Sequence, residues 1–230
     1  MDIVIATSKV SDGSMLERHN PLDPKVIKNR QIFLQKHSIT MDNATRLKVD
    51  TLHRATVLHE SNWLRYISVT PKDKGQAMTD DDYATADALV TTDIGHALFL
   101  PVADCVAATF FDPVHHVLAV AHLGRHSLEQ QGGQKIIEHL SEQYSTEPQH
   151  VKVWLSPAPG KDVYPIWALD NKGMKEVTFE QLRTAGIQRE NIEDTDIETD
   201  KDTDYFSYTE FFNGRRSEDG DYSVVAMMTD

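Results

Sequence analysis

Ala88-Leu89-Val90-Thr91-Thr92, Ala97 to Val102, Val106 to Phe111 and Val117 to Ala121 are four short apolar runs crowded into the middle of the chain. Each has strand length and is partly β-branched. Turn formers separate them, Asp93 and Gly95 first, then Asp112-Pro113. Further along, Ser127 to Tyr144 reads as a helix with Leu128, Ile136, Ile137 and Leu140 among its apolar positions, although Gly132-Gly133 weakens its first half. Val151 to Leu155 reads as another strand, ended by Ser156-Pro157-Ala158-Pro159-Gly160. Gly173 to Thr184 is a second helix and Ser223 to Met228 a closing strand. Toward the N-terminus, Pro24 to His37 is a helix carrying Val26, Ile27, Ile32, Phe33 and Leu34. This mixture predicts an α/β (α+β mixed) fold in which a mixed β-sheet is flanked by helices. No repeat and no Gly/Ser- or Pro-rich linker divides the 230 residues, so one domain over 1–230 is expected.

Composition narrows the function. The formal charge is −13, from 36 acidic against 23 basic side chains. Such a balance opposes unaided binding to nucleic acid or an anionic membrane, while leaving room for a local pocket that takes a small anion. The longest apolar stretch, Ala97 to Phe111, is interrupted by Asp104 and is too short to span a bilayer. Met1-Asp2-Ile3-Val4 lacks the basic and apolar regions of a secretory signal, and the single cysteine, Cys105, can form no internal disulfide. A cytoplasmic protein is therefore expected. An acidic run fills Arg189 to Tyr205. Counted from Asp194, its sixth position is Thr199 where a calcium loop needs glycine, so a solvated acidic loop is expected there. His115-His116, just after Asp112-Pro113, reads as a solvated hairpin turn.

Cys105 follows Ala103-Asp104 at the end of one apolar run, and His122 follows Ala119-Val120-Ala121 at the end of another. If those strands are neighbours, thiol and imidazole emerge at the same edge. Two chemistries use that pair: a histidine that activates a cysteine nucleophile, or a zinc site with thiolate and imidazole ligands. From spacing alone, a small buried cysteine and a polar strand end are the commoner reading of such a pair.

Ala86-Asp87-Ala88-Leu89-Val90-Thr91, Ala103-Asp104-Cys105, Asp112-Pro113 and Ala119-Val120-Ala121-His122-Leu123-Gly124 together resemble the YfiH-like, or laccase-domain, family. Its members read ADALVT, ADC, DP and AHAGWRG in that order. Asn29-Arg30, Lys74-Gly75, Ser156 to Gly160 with Tyr164, and Tyr205-Phe206-Ser207-Tyr208 extend the likeness. Long labelled polyphenol oxidases, these proteins are now regarded as purine nucleoside phosphorylases, several of which also deaminate adenosine. The resemblance implies a YfiH-like layered fold and a zinc ion held by His, Cys and His. Cys105 and His122 match two of the ligands. The first histidine corresponds by spacing to His59, with His53 as the competitor; the flanking Gln and Gly are absent.

Where the family has Trp-Arg-Gly after its glycine, this chain has Arg125-His126-Ser127, so the guanidinium is displaced by one position and an aromatic platform is missing. The arginines that follow the family's FSY appear only as Arg215-Arg216, after an insertion. The function implied is zinc-dependent phosphorolysis of adenosine or inosine, with adenosine deamination as a companion activity. Cys105, His122 and Asp104 would then be catalytic, and Arg125, Arg215 and Arg216 would bind phosphate. Asp104 would either orient an imidazole or cap a turn. The departures keep two alternatives open: a Cys105–His122 cysteine hydrolase or deamidase of similar fold, and a catalytically silent ligand binder. Copper-dependent phenol oxidation fits poorly, because paired histidine motifs are missing. The oligomeric state and the preferred purine are left open by the sequence.

Overall fold

The computed structural model describes residues 1–17, 19–49 and 64–230. Their elements are β1 (Asp2–Thr7), α1 (Pro24–Lys36), β2 (Ala44–Arg46), β3 (Tyr66–Ser68), β4 (Ala88–Thr91), β5 (Ala97–Val102), β6 (Val106–Asp112), β7 (Val117–Leu123), α2 (Arg125–Glu129), α3 (Gly132–Tyr144), β8 (Lys152–Leu155), α4 (Met174–Thr184), β9 (Ile192–Asp194), α5 (Tyr208–Phe212) and β10 (Tyr222–Thr229), joined by short 3-10 turns. The strands divide between two sheets. One is four-stranded, in the order β1-β10-β5-β2; the other is six-stranded, in the order β3-β4-β7-β6-β8-β9. Both are mixed, because β2–β5, β3–β4 and β8–β9 pair in parallel while the remaining neighbours are antiparallel.

The near-continuous apolar runs of the middle third follow from burial on both faces of both sheets. Between the sheets, Leu98, Leu100 and Val102 of β5 and Val224, Ala226 and Met228 of β10 meet Leu89, Leu118, Val120 and Phe111. On the outer face of the smaller sheet, Phe99, Val225 and Met227 pack against Phe33 and Leu34 of α1. On the outer face of the larger sheet, Val90, Ala108, Phe110 and Ala119 meet Leu128, Ile136, Ile137, Leu140, Val177 and Leu182 of α2, α3 and α4. The result is four layers: helix, sheet, sheet, helices. Along β5 the alternation of side chains sends Leu98, Leu100 and Val102 between the sheets and Ala97 and Phe99 to the outer face.

The helices begin where local chemistry allows. Asp23 caps α1 by accepting the Lys25 amide at 2.8 Å, and Pro24 stands at the first helical position. Arg30 is fully buried and donates to the carbonyls of Met15, Met78 and Pro21, bracing α1 against its neighbouring loops. The helix expected over 127–144 is instead two helices, with Gln131 between them in the left-handed region. A Cβ on Gly132 would lie 2.0 Å from Ser127 Oγ, so only glycine lets α3 fold back this tightly on α2. Gln181 of α4 locks the junction, accepting from the Gly133 amide at 2.9 Å and donating to the Leu128 carbonyl at 2.7 Å. Among the described residues, no helix is long and apolar enough to cross a membrane.

Candidate functional site

β6 and β7 pair antiparallel, with Val106 opposite Leu123 and Ala107 opposite His122. Cys105, just ahead of β6, and Gly124, just after β7, therefore face each other at one edge of the larger sheet. A Cβ on Gly124 would lie 2.8 Å from Cys105 Sγ, 2.7 Å from His122 Cε1 and 3.1 Å from His122 Nε2. Thiol and imidazole thus converge on the space that this glycine leaves open. The φ of Gly124 is −84°, which any residue adopts; space, not backbone conformation, requires glycine here.

Sulfur and imidazole nitrogen aimed at one cradle form a donor pair that suits zinc. Among the described residues, no three His, Cys, Asp or Glu side chains are grouped to hold a metal. His59 and its competitor His53 lie outside the described residues, so the donors on view are the two that β6 and β7 bring together.

Asp104 is joined to Ala103 by a cis peptide bond and is buried. Its Oδ2 accepts the Thr209 amide at 2.6 Å, and its Oδ1 accepts the Thr199 hydroxyl at 3.4 Å. The carboxylate thus ties the C-terminal segment to the residue beside Cys105. The segment expected to be a solvated acidic loop is correspondingly structured. It contributes β9 to the larger sheet and buries Thr199 and Tyr205. The charges of its acidic residues belong to alternate positions around those buried ones, which a count of carboxylates does not reveal.

The basic residues separate into different environments. Arg125 opens α2 immediately after Gly124 and is half-buried, with Nη2 donating to His126 Nε2 at 3.3 Å. Arg215 makes a two-pronged pair with Glu210, 2.7 Å from Nε and 2.5 Å from Nη2. That pairing holds the Glu210 carboxyl below its usual range. Arg216 donates to the carbonyls of Tyr205, Thr199 and Asp202, the latter two at 2.6 and 3.0 Å, and so clasps the 199–205 segment.

Tyr164 is a further candidate for the site; in the sequence it stands out only beside the Ser156–Gly160 motif. Burial raises its phenol, and the nearby Cys105 raises it further, with Arg125 acting in the opposite sense. The ring therefore stands in the same electrostatic neighbourhood as Cys105, Arg125 and Asp104 and keeps its proton. His115 was expected in a solvated turn. Its Nδ1 lies 2.8 Å from the buried carboxylate of Asp112, which also accepts the Val114 and His115 amides and so builds the β6–β7 hairpin, at the opposite end of the strands from Cys105.

The family model for multi-copper polyphenol oxidoreductase laccase matches residues 22–172. The chain belongs to this laccase-domain family. It is 28% identical over 106 residues to the purine nucleoside phosphorylase YlmD of Bacillus subtilis (strain 168), a match covering 44% of this chain and 37% of that protein. The aligned part thus spans little more than a third of the curated relative. Its fold is that of the Bacillus licheniformis hypothetical protein YfiH, with a TM-score of 0.79 at 18% identity, covering 99% of this chain and 93% of the other. YlmD from Geobacillus stearothermophilus has the same fold, with a TM-score of 0.78 at 19% identity over 99% and 92% of the two chains.

Proposed function

We propose that this chain is a zinc-dependent purine nucleoside phosphorylase acting on adenosine or inosine, with adenosine deamination as a second activity of the same site. The observation that carries the reading is the convergence of Cys105 Sγ and His122 on the cradle left by Gly124. The family and the name of its Bacillus subtilis relative supply the reaction class. Zinc held by Cys105, His122 and His59 would neutralise charge on the departing purine and lower the pKa of a bound water for deamination.

In phosphorolysis, a phosphate oxygen forms a bond to C1′ of the ribose while the bond from C1′ to the purine nitrogen breaks. The base leaves with that electron pair and gains a proton; the sugar leaves as ribose 1-phosphate. Positive charge gathers on the sugar ring, so anionic phosphate must be held close on one side. Arg125 is the cation nearest the Cys105–His122 edge in the chain, and its half-buried guanidinium suits an oxyanion. Arg215 could assist only by leaving Glu210, while Arg216 has its donors on three carbonyls. Tyr164, which stays protonated, can donate a hydrogen bond to a substrate oxygen. Asp104 acts on the site by holding the segment that packs beside it. A thiolate ligand works only while reduced, which agrees with a cytoplasmic setting.

The test is nucleoside turnover with and without inorganic phosphate, reading free base and ribose 1-phosphate together. Release of both, dependent on phosphate, is the expected result. Absence of turnover alongside rapid alkylation of Cys105 without chelator would support the cysteine hydrolase instead.

A further inference from the structure

A purine is a flat aromatic body, and sites that hold one ordinarily give it a π-face to lie against. The position after Gly124 offers none, because Arg125 stands there. Yet the described surface exposes aromatic rings on α5. Tyr208 is 38% exposed and Phe212 74% exposed. One helical turn apart, they lie on the same face, with ring centroids 5.9 Å apart and planes inclined by 34°. Phe211 backs Tyr208 at 6.5 Å. Burial in the core does not account for Phe212, which leaves about three quarters of its surface in water.

The location of α5 supplies the reason. Its second residue, Thr209, gives its amide to Asp104, the neighbour of Cys105. Ser207 caps the helix by accepting the Glu210 amide, Glu210 pairs with Arg215 just past its end, and Arg216 clasps the preceding segment. The first turn of α5, which begins at Tyr208, is thereby tied to the residue next to Cys105. We infer that Tyr208 and Phe212 form the stacking platform for the purine base, taking the place of an aromatic residue after Gly124. This rests on the phosphorylase reading and specifies how that site grips its base.

The experiment is steady-state kinetics on inosine and phosphate for the wild type, Phe212→Ala, Phe212→Leu, Phe212→Trp and Tyr208→Leu. Val114→Ala, exposed on the hairpin roughly 20 Å away along the strands, is the control. The KM for inosine should rise about tenfold in Phe212→Ala and Tyr208→Leu, with kcat and the KM for phosphate little changed. Phe212→Trp should restore affinity, whereas Phe212→Leu, which keeps apolar bulk but has no π-face, should not. A purely structural disturbance would move kcat and both KM values together and would overturn the platform, as would an unchanged KM for inosine. Each of those results leaves the phosphorylase reading standing. Wild type that turns over no nucleoside overturns both.

Discussion

Oδ2 of Asp104 lies 2.6 Å from the amide nitrogen of Thr209, tying the first turn of α5 to the residue beside Cys105. One buried carboxylate thus couples the sheet edge that carries the candidate ligands to the segment from Thr199 to Arg216. Removing it leaves the Thr209 amide and the Thr199 hydroxyl without their acceptor. Asp104→Ala is expected to lower stability by about 2 kcal/mol and to speed amide exchange selectively across 199–216. Asp104→Asn, which keeps an acceptor for Thr209, should recover part of the loss. Equal exchange in all three proteins would show that this contact does not hold the segment.

Gly124 makes a separate prediction, because its backbone conformation accepts alanine but its surroundings do not. The added methyl would press on Cys105 Sγ and His122 Cε1 and occupy the space on which they converge. Gly124→Ala should remain folded and lose about tenfold or more in zinc affinity, read by chelator competition. Unaltered zinc affinity would mean that the two side chains do not share that cradle.

The arginines can be told apart by comparing stability with phosphate affinity. Arg216→Met deprives three carbonyls of their donor and should lower the melting temperature. Arg125→Met should leave it nearly unchanged while raising the KM for phosphate about tenfold. The reverse pattern would exchange their roles.

Acid sensitivity has an identifiable source in His96, which is fully buried against Thr45 Oγ1 at 2.8 Å. Burial, then Lys74, pull its imidazole below the ordinary 6.5, with Asp93 opposing. The folded ring stays neutral where the unfolded one takes a proton. Its contribution is therefore complete above 6.5 and declines as the pH falls through that value toward the depressed folded one. The melting temperature should drop from about pH 7.5 to about pH 5.5, and His96→Gln should flatten that slope. His139, also drawn down by burial, keeps the slope from vanishing. An unchanged slope in His96→Gln would assign the effect elsewhere.

Much of this architecture is legible in residue order. β5 occupies the expected Ala97–Val102, and β6, β7, β8 and β10 differ from expectation by one or two residues at their ends. These strands are long enough and apolar enough for period and turn formers to define them. The division into two sheets is not legible, because pairing of β5 with β10 is a long-range choice that no local pattern encodes. β2, β3 and β9 are three residues each and owe their existence to a neighbouring strand. The Cys105–His122 edge was readable once the two strands were taken as neighbours. The tie from Asp104 to Thr209 is not, since the two lie 105 residues apart. Gly124 shows its role only in three dimensions, where a missing side chain leaves the space on which Cys105 and His122 converge.

The most direct test of the zinc-phosphorylase account is the metal content of purified wild type beside Cys105→Ala, each assayed for base release from inosine with and without phosphate. The account predicts near-stoichiometric zinc in the wild type, lost in the variant together with phosphate-dependent release. Metal-free wild type with no nucleoside turnover would contradict it.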